Sequence, residues 1–356
     1  MSRILICTDD PTLLEDLLRL AAAAGVEADV ARSAIGARQH WSAAPAVLLG
    51  GDLSASFADS PLPRRPRVVL VGIDLDDANV WRQAVCAGAE HVVFLPDSES
   101  WLVEFLVDAE EAGGRVAPLV AVVGGRGGGG ATTLASALAV TALLQGVHAM
   151  LVDVDPFGGG IDLAVGGEEQ PGLRWPDLAA TRGRVSAGTL SVSLPRVNDL
   201  TVLSWDRGSP LSIEPAAILS VLAAARRDND LVVADLPRSF DQAARVVLAE
   251  STACLLVVPA EVRACAAACR VAHAALADAR DVRVVVRGPA PSGLPADGIA
   301  AVIGLPLAGF LRPEPHLAAA AERGDAPARS GHGPLAQFCR RFLERELGLS
   351  ARRSAA

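Results

Sequence analysis

The chain has 356 residues, 51% of them hydrophobic, and 41 acidic against 32 basic side chains, a formal charge of −9. That apolar content suffices for two cores and excludes a disordered majority, while the acidic balance argues against a broadly nucleic-acid-binding surface. All 32 basic residues are arginine, because the sequence contains no lysine. The opening MSRILICTDD lacks the charged, apolar and small-residue regions of a leader, and no apolar run approaches the roughly 18 to 20 residues of a membrane span. A cytoplasmic protein is expected.

Six cysteines, Cys7, Cys86, Cys254, Cys265, Cys269 and Cys339, lie in apolar contexts without a CxxC pair, as reduced core residues do. Cys265 and Cys269 share a helical face, and no metal site is expected there.

Residues 1 to about 112 alternate strand and helix: RILICT, LLEDLLRLAAAAG, VEADVA, AVLLGG, RVVLVG, a helix through Ala89, HVVFLP and a helix near Trp101 to Glu111. This alternation predicts a five-strand doubly wound, flavodoxin-like domain. It resembles a response-regulator receiver, with Asp9 and Asp10 as the acidic pair after the first strand. Phosphoryl acceptance in that family needs an aspartate ending the third strand and a lysine ending the fifth. Here Gly50 and Leu95 stand there, and Asp52 comes two positions late. The resemblance therefore implies a degenerate receiver used for contact. The Pro-rich stretch Ser54 to Arg67 is expected to be a loop, and residues 113–118 a short linker.

The second domain, residues 119–347, opens on the buried-strand pattern LVAVV, followed by GGRGGGG and the Ala/Leu-rich helix pattern from Ala131. Gly125, Arg126, Gly127, Gly128, Gly129, Gly130, Ala131 and Thr132 match GxxxxGK[ST] at every fixed position except the lysine, where Ala131 stands. Such glycines let backbone N–H groups curl around a polyphosphate, and the following helix adds a favourable dipole. Thr132 is placed to hold Mg²⁺, and Thr133 follows it in the loop's helix start. Asp153 and Asp155 close the strand AMLVDVD, and Asp235 closes LVVAD. A phosphate loop needs such carboxylates for Mg²⁺ and for the attacking water.

The stretches RGGGGATT, LVDVDPFGGGIDLAVG and DLVVADLPRS resemble the MinD/ParA group of deviant P-loop ATPases, from about Pro118 to Leu347. LLVVPAEVRA and GLPLAGFLRPEPHLAAAAERGDAP are similar to its CpaE-like branch and to the actinobacterial septum-site-determining proteins. The resemblance implies a mostly parallel sheet that binds ATP or ADP with Mg²⁺. It makes Asp155 the water-orienting catalytic carboxylate, Asp235 the second acidic residue, and Thr132, Asp153 and Asp235 the Mg²⁺ side. It puts Arg126 at the signature-lysine position, which reaches the partner's nucleotide across a dimer, and Arg287, Gly288 and Pro289 near the adenine. Arginine at position 126 keeps charge and phosphate-binding capacity; alanine at 131 keeps neither.

Beyond Gly166 a helix start near Trp175, the strand LTVLSW, a helix over Pro215 to Arg227, the strand ACLLVVPAE, a helix from Val262 to Ala279 and VRVVVRG are expected. A helix then leads into a last edge strand before FLR. Trp175 and Trp205 fit either an interface or a core. Leu335, Phe338, Cys339, Phe342, Leu343 and Leu347 form one face of a C-terminal helix, which fits packing on the domain better than a peripheral membrane contact, because Glu344 and Glu346 dilute its basic face. Residues 348–356 read as a disordered tail.

The expected function is that of a regulator of septum-site placement, or of pilus or secretion apparatus localisation. Nucleotide would drive homodimerisation, hydrolysis would be weak or absent, and partners would be division or secretion proteins at the septum, pole or inner membrane face. A slow ATPase using Arg126 in place of the lysine and a nucleotide-independent adaptor are the alternatives.

Overall fold

A computed structural model describes residues 3–59, 62–63, 65, 67–72, 80, 84, 87–111, 116–181, 185–209 and 211–350. Much of the expected helix through Ala89, Cys86, parts of the Pro-rich stretch and linker, and residues 351–356 of the tail lie outside them. The chain divides into two compact units, Met1–Val116 and Ala117–Ala356.

The first unit is a five-stranded parallel sheet of β1 (Ile4–Cys7), β2 (Ala28–Ala31), β3 (Val47–Gly50), β4 (Val68–Gly72) and β5 (His91–Phe94), in the order β2-β1-β3-β4-β5. That is the doubly wound order of a CheY-like fold. β1, β3 and β4 are fully buried, as strands covered on both faces must be, and their sequences are correspondingly runs of Ile, Leu and Val that end in Cys7, Gly50 and Gly72. Two helical segments go beyond the sequence reading. Ala34–Trp41 forms a helix capped by Ser33, whose hydroxyl accepts from the Gly36 N–H at 3.2 Å. Ser54–Asp59, expected as loop, is also helical, because buried Phe57 packs on Trp41 with ring centroids 5.4 Å apart.

The receiver pocket is filled from within. Asp10 caps the helix Pro11–Ala23. Asp52 accepts from the Thr8 hydroxyl at 2.9 Å and from the backbone N–H groups of Asp9 and Asp10 at 2.7 and 3.2 Å. A Cβ on Gly50 would run into that Asp52 carboxylate and come within 2.9 Å of the Thr8 hydroxyl. The late aspartate thus occupies the space that a side chain at position 50 would need. Leu95, at the lysine position, is buried in the core.

The second unit is an eight-stranded sheet: β6 (Leu119–Gly124), β7 (Ala149–Asp153), β8 (Arg196–Val197), β9 (Leu200–Leu203), β10 (Leu231–Leu236), β11 (Ala253–Pro259), β12 (Val282–Arg287) and β13 (Leu307–Leu311). Their order is β13-β12-β11-β6-β10-β7-β9-β8, parallel except for the antiparallel β8–β9 edge. The sequence reading missed β8 and the helices Ile161–Val165, Ala187–Ser193, Gln242–Glu250 and Leu317–Ala321. β6 sits centrally between β11 and β10, so its C-terminal loop opens where neighbouring strand ends converge.

The helix Ala131–Leu144 is apolar nearly all round, with Leu134 to Ala142 buried, because one side lies on the sheet and another meets the C-terminal helix Pro334–Glu346. That C-terminal helix buries Leu335, Phe338, Cys339, Phe342 and Leu343 in the same cluster, so its apolar face is used for packing. Each such side chain contributes about 1.5–3 kcal/mol of burial. Trp175 and Trp205 both belong to the core on the opposite face, 6.1 Å apart. Among the described residues, no helix is long and apolar enough to cross a membrane.

Candidate nucleotide site

The glycine loop is shaped by close backbone approaches. The Gly125 N–H donates to Val257 O at 2.8 Å, and a Cβ on Gly125 would lie 2.8 Å from that of Ala268. Gly128 and Gly130 take left-handed φ values of +66° and +97°, which side chains disfavour, and Gly130 starts the helix Ala131–Leu144 without any side-chain cap. The first N–H groups of that helix therefore face the loop's concavity, the arrangement that receives an anion. Thr133 stands in its first turn.

Three sequence-selected carboxylates come together beside the loop. Asp235 and Asp153 are paired in register across β10 and β7, and only 5% and 2% of them is exposed. The Thr132 hydroxyl donates to Asp235 Oδ2 at 2.6 Å, joining the loop helix to β10. Asp153 accepts from the backbone N–H groups of Asp155 at 3.0 Å and Ile161 at 2.9 Å, so it also organises the loop after β7. Asp155 accepts from the Phe157 N–H at 3.0 Å, and Phe157 itself is 82% exposed.

Burial pushes the Asp235 carboxyl up to about 8; the Thr132 hydrogen bond opposes this, and the charges of Asp153 and Asp155 add to it. Asp153 is pushed up to about 7, again chiefly by burial, against its backbone hydrogen bonds and with Asp155 and Asp162 adding repulsion. Among the described residues no countercharge offsets this burial.

That donor set fits Mg²⁺. Thr132 and Asp235 offer hard oxygens on one side, and among the described residues no cluster of three His, Cys, Asp or Glu side chains is arranged to hold a metal alone. Mg²⁺ characteristically takes one or two protein oxygens and completes its shell with phosphate oxygens and water.

Arginines surround the loop. Arg126 makes an ion pair with Glu261, Nη2 lying 2.9 and 3.1 Å from the two carboxylate oxygens. Arg287, at the end of β12, lies over the other end of the loop, where a Cβ on Gly130 would be 3.0 Å from its Nη1. Arg238 follows β10, and its Nη2 lies 3.7 Å from the Cβ position of Gly127. Sequence reasoning missed Arg238 and Glu261 as neighbours of the loop, since nothing in the local spacing links them to residues more than a hundred positions away.

Arg287 and Gly288 also line a cavity of about 270 Å³ with Gly130, Thr133, Leu317 and Leu335. Pro289 is exposed and is not among its lining residues.

The chain is 41% identical over 339 residues to the Mycobacterium tuberculosis H37Rv protein named "Uncharacterized protein Rv3660c", covering 94% of this chain and 95% of that one. The chain belongs to the Rv3660c-like family. Residues 7–116 match the domain described as "Rv3660c-like, CheY-like N-terminal domain". In this Rv3660c-like chain the second unit has the ParA/MinD fold. A ParA family ATPase from Chlorobium tepidum TLS superposes with a TM-score of 0.57 at 17% identity, covering 63% of this chain and 96% of that one. The septum site-determining protein MinD complexed with Mg-ADP, from Pyrococcus horikoshii OT3, superposes with a TM-score of 0.52 at 15% identity, covering 67% and 100%.

Proposed function

We propose that the second domain is a MinD/ParA-type nucleotide switch of the CpaE-like, septum-site-determining kind, whose binding of Mg²⁺ with ATP or ADP at residues 125–133 controls self-association. The observation that carries this reading is the 2.6 Å hydrogen bond from Thr132 to buried Asp235. It keeps a hydroxyl and a carboxylate together at the mouth of a glycine loop, although the loop has lost its lysine. Mg²⁺, when bound, would screen the phosphate charge. The chain's own residues would do the rest: loop N–H groups would hold phosphate oxygens, Thr132 and Asp235 would hold the ion, and Asp155 would orient the attacking water.

Hydrolysis is slow in this reading. Loss of one preorganised charge-stabilising donor costs on the order of 10²- to 10³-fold in turnover. Binding depends on several N–H groups at once and survives better. The switch would act in placing the division septum or a pilus or secretion apparatus, with a homodimer as the active form. The receiver-like domain would serve as a contact module. Isothermal titration of the full chain with MgADP and MgATP tests the reading: saturable one-site binding is expected, and its absence leaves the adaptor reading.

A further inference from the structure

The loop's helix begins with Ala131, so the sequence offers no cation of its own to face a polyphosphate, and the loop arginine is engaged elsewhere. Arg126 spends its guanidinium on both oxygens of Glu261. The side chains on this side of the loop, Asp153, Asp155 and Asp235, offer oxygens and no positive charge.

Two other guanidiniums flank the loop, delivered by different strands. Arg287 comes from the end of β12 and lies against Gly130, its Nη1 3.0 Å, Cδ 3.5 Å and Cζ 3.9 Å from where a Cβ would be. The absence of a side chain at Gly130, whose φ is +97°, leaves the room that this arginine uses. Arg238 comes from the turn after β10 and lies against Gly127, near the start of the loop. Neither guanidinium has an ion-pair or hydrogen-bond partner among the described residues. An arginine left unpaired beside uncapped helix N–H groups is suited to bidentate binding of phosphate oxygens.

We propose that Arg287 supplies the phosphate-binding charge missing at Ala131, with Arg238 as its counterpart at the loop's start, so that the site selects nucleoside di- and triphosphates over monophosphates through arginines from β12 and β10. The proposal rests on the nucleotide reading above and deepens it.

The test is a titration of the full chain with MgATP, MgADP and AMP, for the parent and for Arg287→Gln, Arg287→Lys, Arg238→Gln and Arg287→Gln/Ala131→Lys. Loss of one charged hydrogen-bonding group predicts roughly 10- to 100-fold weaker MgATP binding in Arg287→Gln, with AMP much less affected. Arg287→Lys should keep the preference for ATP over AMP, Arg238→Gln should weaken it, and Ala131→Lys should restore it in the Arg287→Gln background. If the parent binds MgATP while both glutamine variants keep its affinity and its ranking of phosphates, the proposal fails and the nucleotide reading stands. Equal losses for ATP and AMP in Arg287→Gln and Arg287→Lys, without rescue, would make Arg287 a structural residue and also overturn it. A parent that binds no nucleotide removes both.

Discussion

Arg126 and Glu261 close on each other within one chain, Nη2 of the arginine reaching both carboxylate oxygens at 2.9 and 3.1 Å. The pair ties the glycine loop to the residue just before the helix Val262–Ala275. Its side chains are 36% and 45% exposed, so it adds only about 0–1 kcal/mol to stability. A contact that weak can be exchanged for a stronger one. An arginine destined for a partner's phosphate would have to leave Glu261 first.

Glu261→Gln should therefore favour association. The expected outcome is dimerisation in MgATP at roughly 3- to 10-fold lower protein concentration than the parent needs, with Tm changed by no more than about 2 °C. Sedimentation velocity across a concentration series checks it.

Restoring the loop cation should act on binding and turnover. Ala131 begins its helix with its Cβ 3.8 Å from the Cβ position of Gly124, so the side chain lies against the β6 end of the loop. Ala131→Lys should tighten MgATP binding by about tenfold or more and raise phosphate release on the order of 10²-fold. Titration followed by a phosphate-release assay measures both. A variant that binds no better than the parent would mean that the loop has lost its phosphate geometry as well as its lysine.

The buried carboxylates predict a pH dependence. Asp235 and Asp153 hold protons in the fold up to about 8 and about 7, against an ordinary value of 3.8. Between those limits the folded chain binds more protons than the unfolded one. Their contribution to stability is thus fully present below about 3.8 and is lost as pH rises through 7 and 8. Asp235→Asn should raise the ligand-free Tm at pH 8 by roughly 2–8 °C and change it little at pH 5. MgADP affinity in the parent should rise from pH 6 to pH 8, because the metal's oxygen ligand must first lose its proton. Calorimetry at three pH values follows both effects.

The receiver-like domain should not be phosphorylated. Asp52 is held by Thr8 and two backbone N–H groups, and Gly50 leaves no space for an acceptor side chain. Incubation with acetyl phosphate should give no phosphoryl adduct by mass spectrometry of the full chain. Asp52→Ala would leave those donors unpaired and should destabilise the domain by about 1–3 kcal/mol, read by urea denaturation.

The sequence exposed what is local and left obscure what is assembled. Continuous Val/Ile/Leu runs marked nearly every parallel strand, and the glycine spacing of 125–130 marked the loop. Asp153, Asp155 and Asp235 were legible because they stand at the ends of such runs; the sheet aligns Asp153 with Asp235, while β7 stops at Asp153 and leaves Asp155 in the loop that follows. Ala34–Trp41 and Ser54–Asp59 escaped notice because short helices with few periodic apolar positions look like loop; their burial comes from the Trp41–Phe57 contact. The Arg126–Glu261 pair and the placement of Arg238 and Arg287 against Gly127 and Gly130 depend on sheet order, so no spacing in the chain announces them.

Association controlled by nucleotide is the centre of this account, and light scattering of the full chain tests it most directly. The parent should run at its monomer mass of 36.6 kDa without ligand and at about twice that in MgATP. Arg126→Ala should stay folded and monomeric in both conditions. A parent whose mass ignores MgATP, or an Arg126→Ala variant that still doubles on its addition, would contradict the account.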